Sequence, residues 1–416
     1  MKIINARSEY TTPTSFYYCN DINVHDLVFM NNIGSMFTGL LINYCNGVIV
    51  DNVLAGFTTS ADNDLITFNT LESQDVFINN IISAGNSTSY NESNYIGISM
   101  HDSDIVLRNS IVANNDAIDA WIFIYQNNQS DFADYNLDMS NMLFMNNTIT
   151  HTSWVNAPIY MQNRGQQLQL NNCTIANNTT NRSITSVYAG VDIRNLISYN
   201  PGAATELYLL NYLSSTGLSY DVSASNSLFR GSQINCNYPD RLTTVDNIMT
   251  ANPLFLGEIE PGFAESQPEY YQLSSLSPCI DSGTPDTLGL NLPQMDLAGN
   301  WRIWNDRIDM GCYEYGSEPY VGIDDPELPS PQHDISISVY PNPLLNTSQA
   351  GEVFIDFSLI KKPVSQPVIE IFNIRGQKVK TTQLSESYNS LVNKAGLSGD
   401  VKQKRRVLFH GLEWQR

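Results

Sequence analysis

VFINNII at residues 76–82 and IVLRNSIV at 105–112 are two copies of one pattern: alternating apolar residues, an Asn, then a second short apolar run. The same pattern recurs in VHDLVF (24–29), VIVDNVL (48–54), LDMSNMLF (137–144), LQLNNCTI (168–175), VDIRNLI (191–197) and VSASNSLF (222–229). The polar residue before the second run sets the register at Asp26, Asn52, Asn80, Asn109, Asn141, Asn172, Asn195 and Asn226, with separations of 26, 28, 29, 32, 31, 23 and 31. Recurrence at this period marks a solenoid. Further alternating runs lie upstream of most register residues: LLINY (40–44), LITFN (65–69), IGISM (96–100), WIFIY (121–125), APIYM (157–161) and ELYLL (206–210). Period-two alternation rich in Ile, Val, Leu, Phe and Tyr reads as half-buried strand. A 3.6-residue period is absent, which excludes helical repeats. The expectation is an all-β chain in which residues 1–235 form a right-handed parallel β-helix of about eight coils. Each coil buries its inward residues against its neighbours.

The recurrent Asn has a conformational reason. Where a strand turns a corner the backbone leaves the β region, and Asn tolerates the left-handed conformation that results. Its amide can also bond the same group one coil above and below. The eight register residues are therefore expected to stack as a structural ladder.

Composition removes several classes of function. The net charge of −21 and a sequence pI near 4.4 argue against nucleic acid or an anionic membrane surface as partner. No apolar stretch is long enough to span a bilayer. No lysine occurs between Lys2 and Lys361. The opening residues MKIINARSEYTTPTS lack the apolar region of a signal peptide, so a secreted chain would have its true start upstream. The six cysteines at 19, 45, 173, 236, 279 and 312 form no CxxC pair and have no His at metal-ligand spacing, and nothing points to a metal or cofactor. Cys45 and Cys173 fall in or beside repeat strands as small core residues. Cys279 and Cys312 lie in a motif-rich closing segment, and a Cys279–Cys312 disulfide is the pairing that segment offers in an oxidising compartment.

That segment runs over residues 236–316 and contains NPLF (252–255), SPCIDSG (277–283) and DLAGNWRIWNDRIDMGCYEY (296–315). It resembles the closing segment of secreted bacterial right-handed parallel β-helix proteins. The resemblance implies a cap before a surface anchor or sorting domain. A cap must cover the strand edges and apolar cross-section of the last coil. Trp301, Trp304, Tyr313 and Tyr315 supply apolar area, and Arg302 and Arg307 are placed to pair with Asp296, Asp309 and Glu314 in a structural network. Residues 317–334, rich in Pro and acids, read as a linker.

From Ile335 period-two strands return in ISISVYPNP (335–343), EVFIDFSL (352–359) and PVIEIFNIRGQKVKT (367–381), which suggests a small Ig-like β-sandwich. VYPNP followed by FNIRGQKV resembles the C-terminal sorting domain recognised by type IX secretion machinery, over residues 335–391. The resemblance implies export to the medium or the outer cell surface. The family continues with a Trp-Gly turn and a closing strand, whereas residues 392–416 hold six basic residues in 25 positions. The break is expected to reflect a shifted reading frame and to leave the sandwich incomplete.

The β-helix fold hosts pectate lyases and polygalacturonases, so a polysaccharide-degrading enzyme is one reading. Lyases need a base beside the proton α to a uronate carboxylate, and hydrolases need clustered aspartates. The polygalacturonase signatures are absent. Asp102 and Asp104, which flank a strand, are the best acidic candidates, with no matching base in an aligned position and His101 nearby as a lone turn histidine. The other reading is adhesion or polysaccharide binding. If Ile98, Ile122, Ile159 and Leu207 point inward, Phe123, Tyr160 and Tyr208 point outward on successive coils, as a platform for sugar rings of an extracellular polysaccharide.

Overall fold

The computed structural model divides the chain into two compact units, Met1–Val321 and Gly322–Arg416. In the first unit it describes residues 2–4, 7–11, 14–60, 65–88, 96–117, 122–125, 136–149, 157–162, 167–187, 190–210, 221–232, 234–236, 242–257, 267–305 and 307–320, and in the second the strands given below.

The first unit is a parallel β-helix. One sheet is built from the register strands Asn20–Met30, Asn46–Gly56, Gln74–Ala84, Ile105–Ala113 and Asn136–Met145. It continues through Gln167–Asn171 with Thr174–Ala176, Gly190–Arg194 with Ile197–Tyr199, Val222–Phe229 and Leu242–Met249. Every neighbouring pair is parallel, and the repeats align position for position: Val24 with Val50, Val50 with Ile78, Ile78 with Leu107, Leu107 with Met139. A second parallel sheet joins Ile33–Asn43, Leu65–Leu71, Ile96–His101, Ile122–Tyr125, Ile159–Gln162, Arg182–Val187, Thr205–Leu210 and Ile234–Cys236.

Three left-handed bends shape a coil. All eight register residues have positive φ, from 45° at Asn226 to 59° at Asn52, and they divide the long strands in two. A second bend falls at Asn31, Phe57, Gly85, Asn114, Asn146 and Asn177, and a third at Tyr18, Tyr44, Glu72 and Asp102. The coil therefore presents three faces. The first precedes the register residue, the second follows it, and the third belongs to the other sheet. Alternation along Asn46–Gly56 shows how each face is built. Val48, Val50, Val53 and Ala55 are buried, whereas Ile49, Asn52 and Leu54 are exposed. The inward residues of successive coils form one continuous core from Val24 to Phe229. Each fully buried Val, Ile or Leu in it contributes about 1.5–3 kcal/mol of hydrophobic stabilisation.

The stack extends past residue 235, because Leu242–Met249 pairs in parallel with Val222–Phe229 and Asn247 takes the register position with φ 49°. The rest of the described closing segment packs back on the helix. Its described contacts run along the second face. Tyr271, Cys312 and Tyr313 pack on Ala113, Leu143, Met145 and Ala176. Leu273, Cys279 and Met310 pack on Ile197 and Leu228. The reason is the composition of that face. Leu143, Ile197 and Leu228 point outward, and a flank this apolar needs cover as much as a coil end does.

In the second unit, Ile335–Tyr340, Val353–Leu359 and Asn393–Leu397 form one antiparallel sheet, and Lys378–Gln383, Val368–Asn373 and Val407–Leu408 form another. Two of these strands, Asn393–Leu397 and Val407–Leu408, fall in the basic stretch that the sequence sets apart.

Candidate functional site

On the third face the backbones of Ser99, Phe123, Tyr160, Thr185 and Tyr208 are aligned across successive strands. Tyr160 does not take an exposed place on this face. Tyr160 is 1% exposed and Thr185 is fully buried, although both alternate with the inward Ile159, Met161 and Ile184, so this face is covered at their level. Tyr208 is partly exposed, with the Arg182 guanidinium 4.1 Å from its ring centre. The side chain of Phe123 lies outside the described residues. Asp102 occupies the third bend with φ 46° and is buried. Asp104 is engaged structurally: its carboxylate accepts the Asn136 N–H at 2.6 Å, fixing the entry of the next coil's strand. His101 shares a 2.8 Å hydrogen bond with the Ser99 hydroxyl, and burial lowers its pKa, favouring the neutral ring.

Cys279 and Cys312 are not joined. Both are buried free thiols, held in separate apolar clusters on the second face, and burial pushes each up to about 12. Cys45 and Cys173 are likewise buried and free.

The register ladder is only partly continuous. Asn52 donates to Asp26, Asn80 to Asn52, Asn141 to Asn109, Asn195 to Asn172 and Asn247 to Asn226. Asn109 donates to the neighbouring Asn79 instead of Asn80. The closing segment enters at the remaining rungs. Asn141 donates to the Met295 carbonyl at 2.6 Å and accepts from Arg302 at 3.1 Å, Asn172 donates to the Asp309 carbonyl at 2.9 Å, and Asn195 accepts the Thr284 N–H at 2.7 Å. Arg302, 1% exposed, also pairs with Glu314 at 2.6 Å. Burial pushes the Glu314 carboxyl up while Arg302 pulls it back. The Asp296 carboxylate accepts the N–H groups of Ala298, Asn300 and Glu314. Arg307 bonds the carbonyls of Gly283 and Ser282 rather than an acid.

A second, fully buried ladder stands at the second bend. The side-chain amides of Asn86, Asn115, Asn147 and Asn178 donate in turn to Asn115, Asn147, Asn178 and Asn200 at 2.8–3.0 Å. Each of those acceptor oxygens also takes the backbone N–H of the donor residue. Glu206, fully buried, ends the row. It accepts from both the backbone and the amide of Asn200 and from Ser198 and Ser183, with Arg230 at 3.7 Å. Burial raises its pKa. The signal for this ladder lies in a recurrent step of six from the register residue, as in Asn80 to Asn86, Asn109 to Asn115, Asn141 to Asn147 and Asn172 to Asn178, shortened to five from Asn195 to Asn200.

The first face carries the arrangement best suited to a ligand. Two outward rows run across the coils at the strand spacing of about 4.8 Å. One is Ile49, Phe77, Val106 and Asp138, and the other is Asp51, Asn79, Arg108 and Ser140. Ile49 is exposed, and Phe77, Val106, Asp51, Asn79 and Arg108 are partly exposed. Asn79 donates to Asp51 at 2.8 Å, and the Arg108 guanidinium lies 5.7 Å from the Phe77 ring centre and 3.9 Å from Asp138. Desolvation raises the pKa of Asp138 and lowers that of Arg108, and Asn291 of the closing segment donates to Asp138 at 2.8 Å, marking one end of the strip. An apolar row beside a row of amide, carboxylate and guanidinium groups can meet the C–H face and the hydroxyls of one sugar together. Phe77 and Arg108 sit inside the repeat strands, where the apolar pattern draws attention to the inward residues. Their alternation with the buried Val76, Ile78, Ile105 and Leu107 is the signal.

No group of three or more metal-ligating side chains occurs among the described residues. No family model matches the chain, and no curated protein matches it.

Proposed function

We propose that this chain is an exported, surface-associated β-helix that binds an extended polysaccharide through its first face and so serves adhesion. The observation that carries the reading is the pair of parallel rows, Ile49–Phe77–Val106 beside Asp51–Asn79–Arg108, repeated at coil spacing on a sheet face. A polymer laid along the helix axis would meet an apolar and a polar side chain next to each other on each of these coils. Export through type IX secretion is supported by the resemblance of VYPNP and FNIRGQKV, which fall in the separate unit Gly322–Arg416. The degradative alternative drew on Asp102 and Asp104, and the engagement of Asp104 with Asn136 favours binding over it.

The test is a glycan array with the full chain, followed by titration of the strongest hit against variants. Stacking and cation–π contacts are each worth about 0.5–1.5 kcal/mol. Phe77→Ala and Arg108→Ala are therefore expected to weaken binding about 2- to 12-fold each, with unchanged circular dichroism. Asp246→Ala, on the same face at a distant coil, leaves it unaltered. Full affinity in both Phe77→Ala and Arg108→Ala refutes the assignment.

A further inference from the structure

The second face is apolar at every coil of its outward row but one, and clad over only part of its length. Its outward row reads Val28, Leu54, Ile82, Ile111, Leu143, Thr174, Ile197, Leu228 and Met249 from coil to coil. The chain's own closing segment buries Leu143, Ile197 and Leu228 completely, and its edge reaches Ala84 and Ile111. Beyond that edge the same row continues into solvent. Leu54 is 37% exposed, Val28 and Ile82 are half-buried, and Phe57, 43% exposed, stands at the adjoining bend with its ring against Gly85. Gly56 lies between Leu54 and Phe57 with no room for a Cβ, which would meet the Ala84 carbonyl at 2.9 Å.

We propose that this open strip docks an extended segment of a partner polypeptide carrying alternating apolar and basic side chains. Two observations choose that occupant. The strip continues a surface that this protein already covers with an irregular polypeptide segment inserting Tyr271, Leu273, Met310 and Tyr313, so its shape suits the same kind of guest. The stretch of chain that builds this end of the helix is of one sign in sequence. Between Arg7 and Arg108 the chain has eleven Asp and Glu and no Lys or Arg, and Asp26 stands exposed at the bend that borders the strip. A second copy of this chain would bring the same carboxylates face to face, whereas a basic partner would neutralise them.

The experiment titrates the full chain with a fluorescent nine-residue peptide of alternating Val and Lys, and with its Val–Glu counterpart, at low salt. The Val–Lys peptide is expected to bind and the Val–Glu peptide to fail. Leu54→Asn is expected to weaken binding at least fivefold by removing the apolar contact. Asp26→Asn, which keeps a residue suited to the left-handed bend, is expected to weaken it about twofold and to lower its salt dependence. Leu288→Asn, at an 86% exposed site on the closing segment, serves as the unaffected control. Equal binding of the two peptides, or equal binding by Leu54→Asn and the parent chain, overturns the proposal. So does a self-associated parent chain that Leu54→Asn converts to monomer in sedimentation, because the occupant is then a second copy.

Discussion

Asn114 and Asn115 are adjacent and chemically identical, yet the structure gives them different work, and substitution should separate the two. Asn114 sits at the second bend with φ 54° and an exposed side chain. Its value lies in the backbone. Asn114→Ala should cost about 1–2 kcal/mol, the penalty for an L side chain in the left-handed region, and Asn114→Gly should recover most of it. Asn115 is 2% exposed, and its value lies in the amide. The amide donates to Ser83 at 3.0 Å and to Asn147 at 2.9 Å and accepts the Asn86 backbone N–H at 3.0 Å. Truncation leaves that N–H buried without a partner, at about 1–3 kcal/mol, and removes two net bonds of about 0.5–1.5 kcal/mol each. Asn115→Ala should therefore cost about 2–6 kcal/mol, and Asn115→Gly should do no better. Urea unfolding followed by far-UV circular dichroism reads the difference as midpoint shifts at constant m. A cost for Asn115→Ala no larger than that for Asn114→Ala, or rescue of position 115 by glycine, would refute the division of labour.

Acidity should stabilise the β-helix unit through Asp309, whose carboxyl burial pushes up to about 6 from an unfolded value of 3.8. The folded chain then holds a proton that the unfolded chain has released, so the contribution is present below about pH 4 and is lost as pH rises through 6; two units correspond to about 3 kcal/mol. Thermal melts should show a midpoint that falls between pH 4.5 and 7, and Asp309→Asn should flatten this slope; an unchanged slope in the variant would exclude Asp309 as its source. Gly283→Ala should loosen the closing segment, because its Cβ would meet the Ile308 carbonyl at 2.6 Å. The readout is faster proteolysis after residue 250 with the inner strands intact, and parent-like resistance would count against the clash.

The fold was legible because inward residues of a solenoid must recur at one interval, and the register Asn marks a bend that few residue types tolerate. The surfaces were not. Outward residues answer to whatever covers them, and the cover of this chain comes from distant sequence. Tyr160 alternates with Ile159 and Met161 as an exposed residue would, yet it is buried. Leu143 and Ile197 look like core residues by composition and in fact point outward beneath the closing segment. Asn115 and Asn147 were hidden for a different reason. Each follows a left-handed Asn, and in a pair of asparagines composition cannot tell the backbone role from the amide role.

The stitching of the closing segment changes how the molecule should respond to stress. In a bare solenoid each coil is coupled only to its two neighbours, so unfolding can start at any interface and spread as along a one-dimensional chain. Here one segment holds Asn141 through Met295 and Arg302, Asn172 through Asp309, and Asn195 through Thr284 and Gly311. Opening any one of those interfaces strains the rest, which adds long-range coupling to a system that otherwise has none. The clad coils should exchange their amide hydrogens as a single slow block, and the coils before Asn109 should open in graded steps at lower free energy. The chain thus joins a stiff, all-or-none section to a compliant one, and the open strip around Leu54 lies on the compliant part.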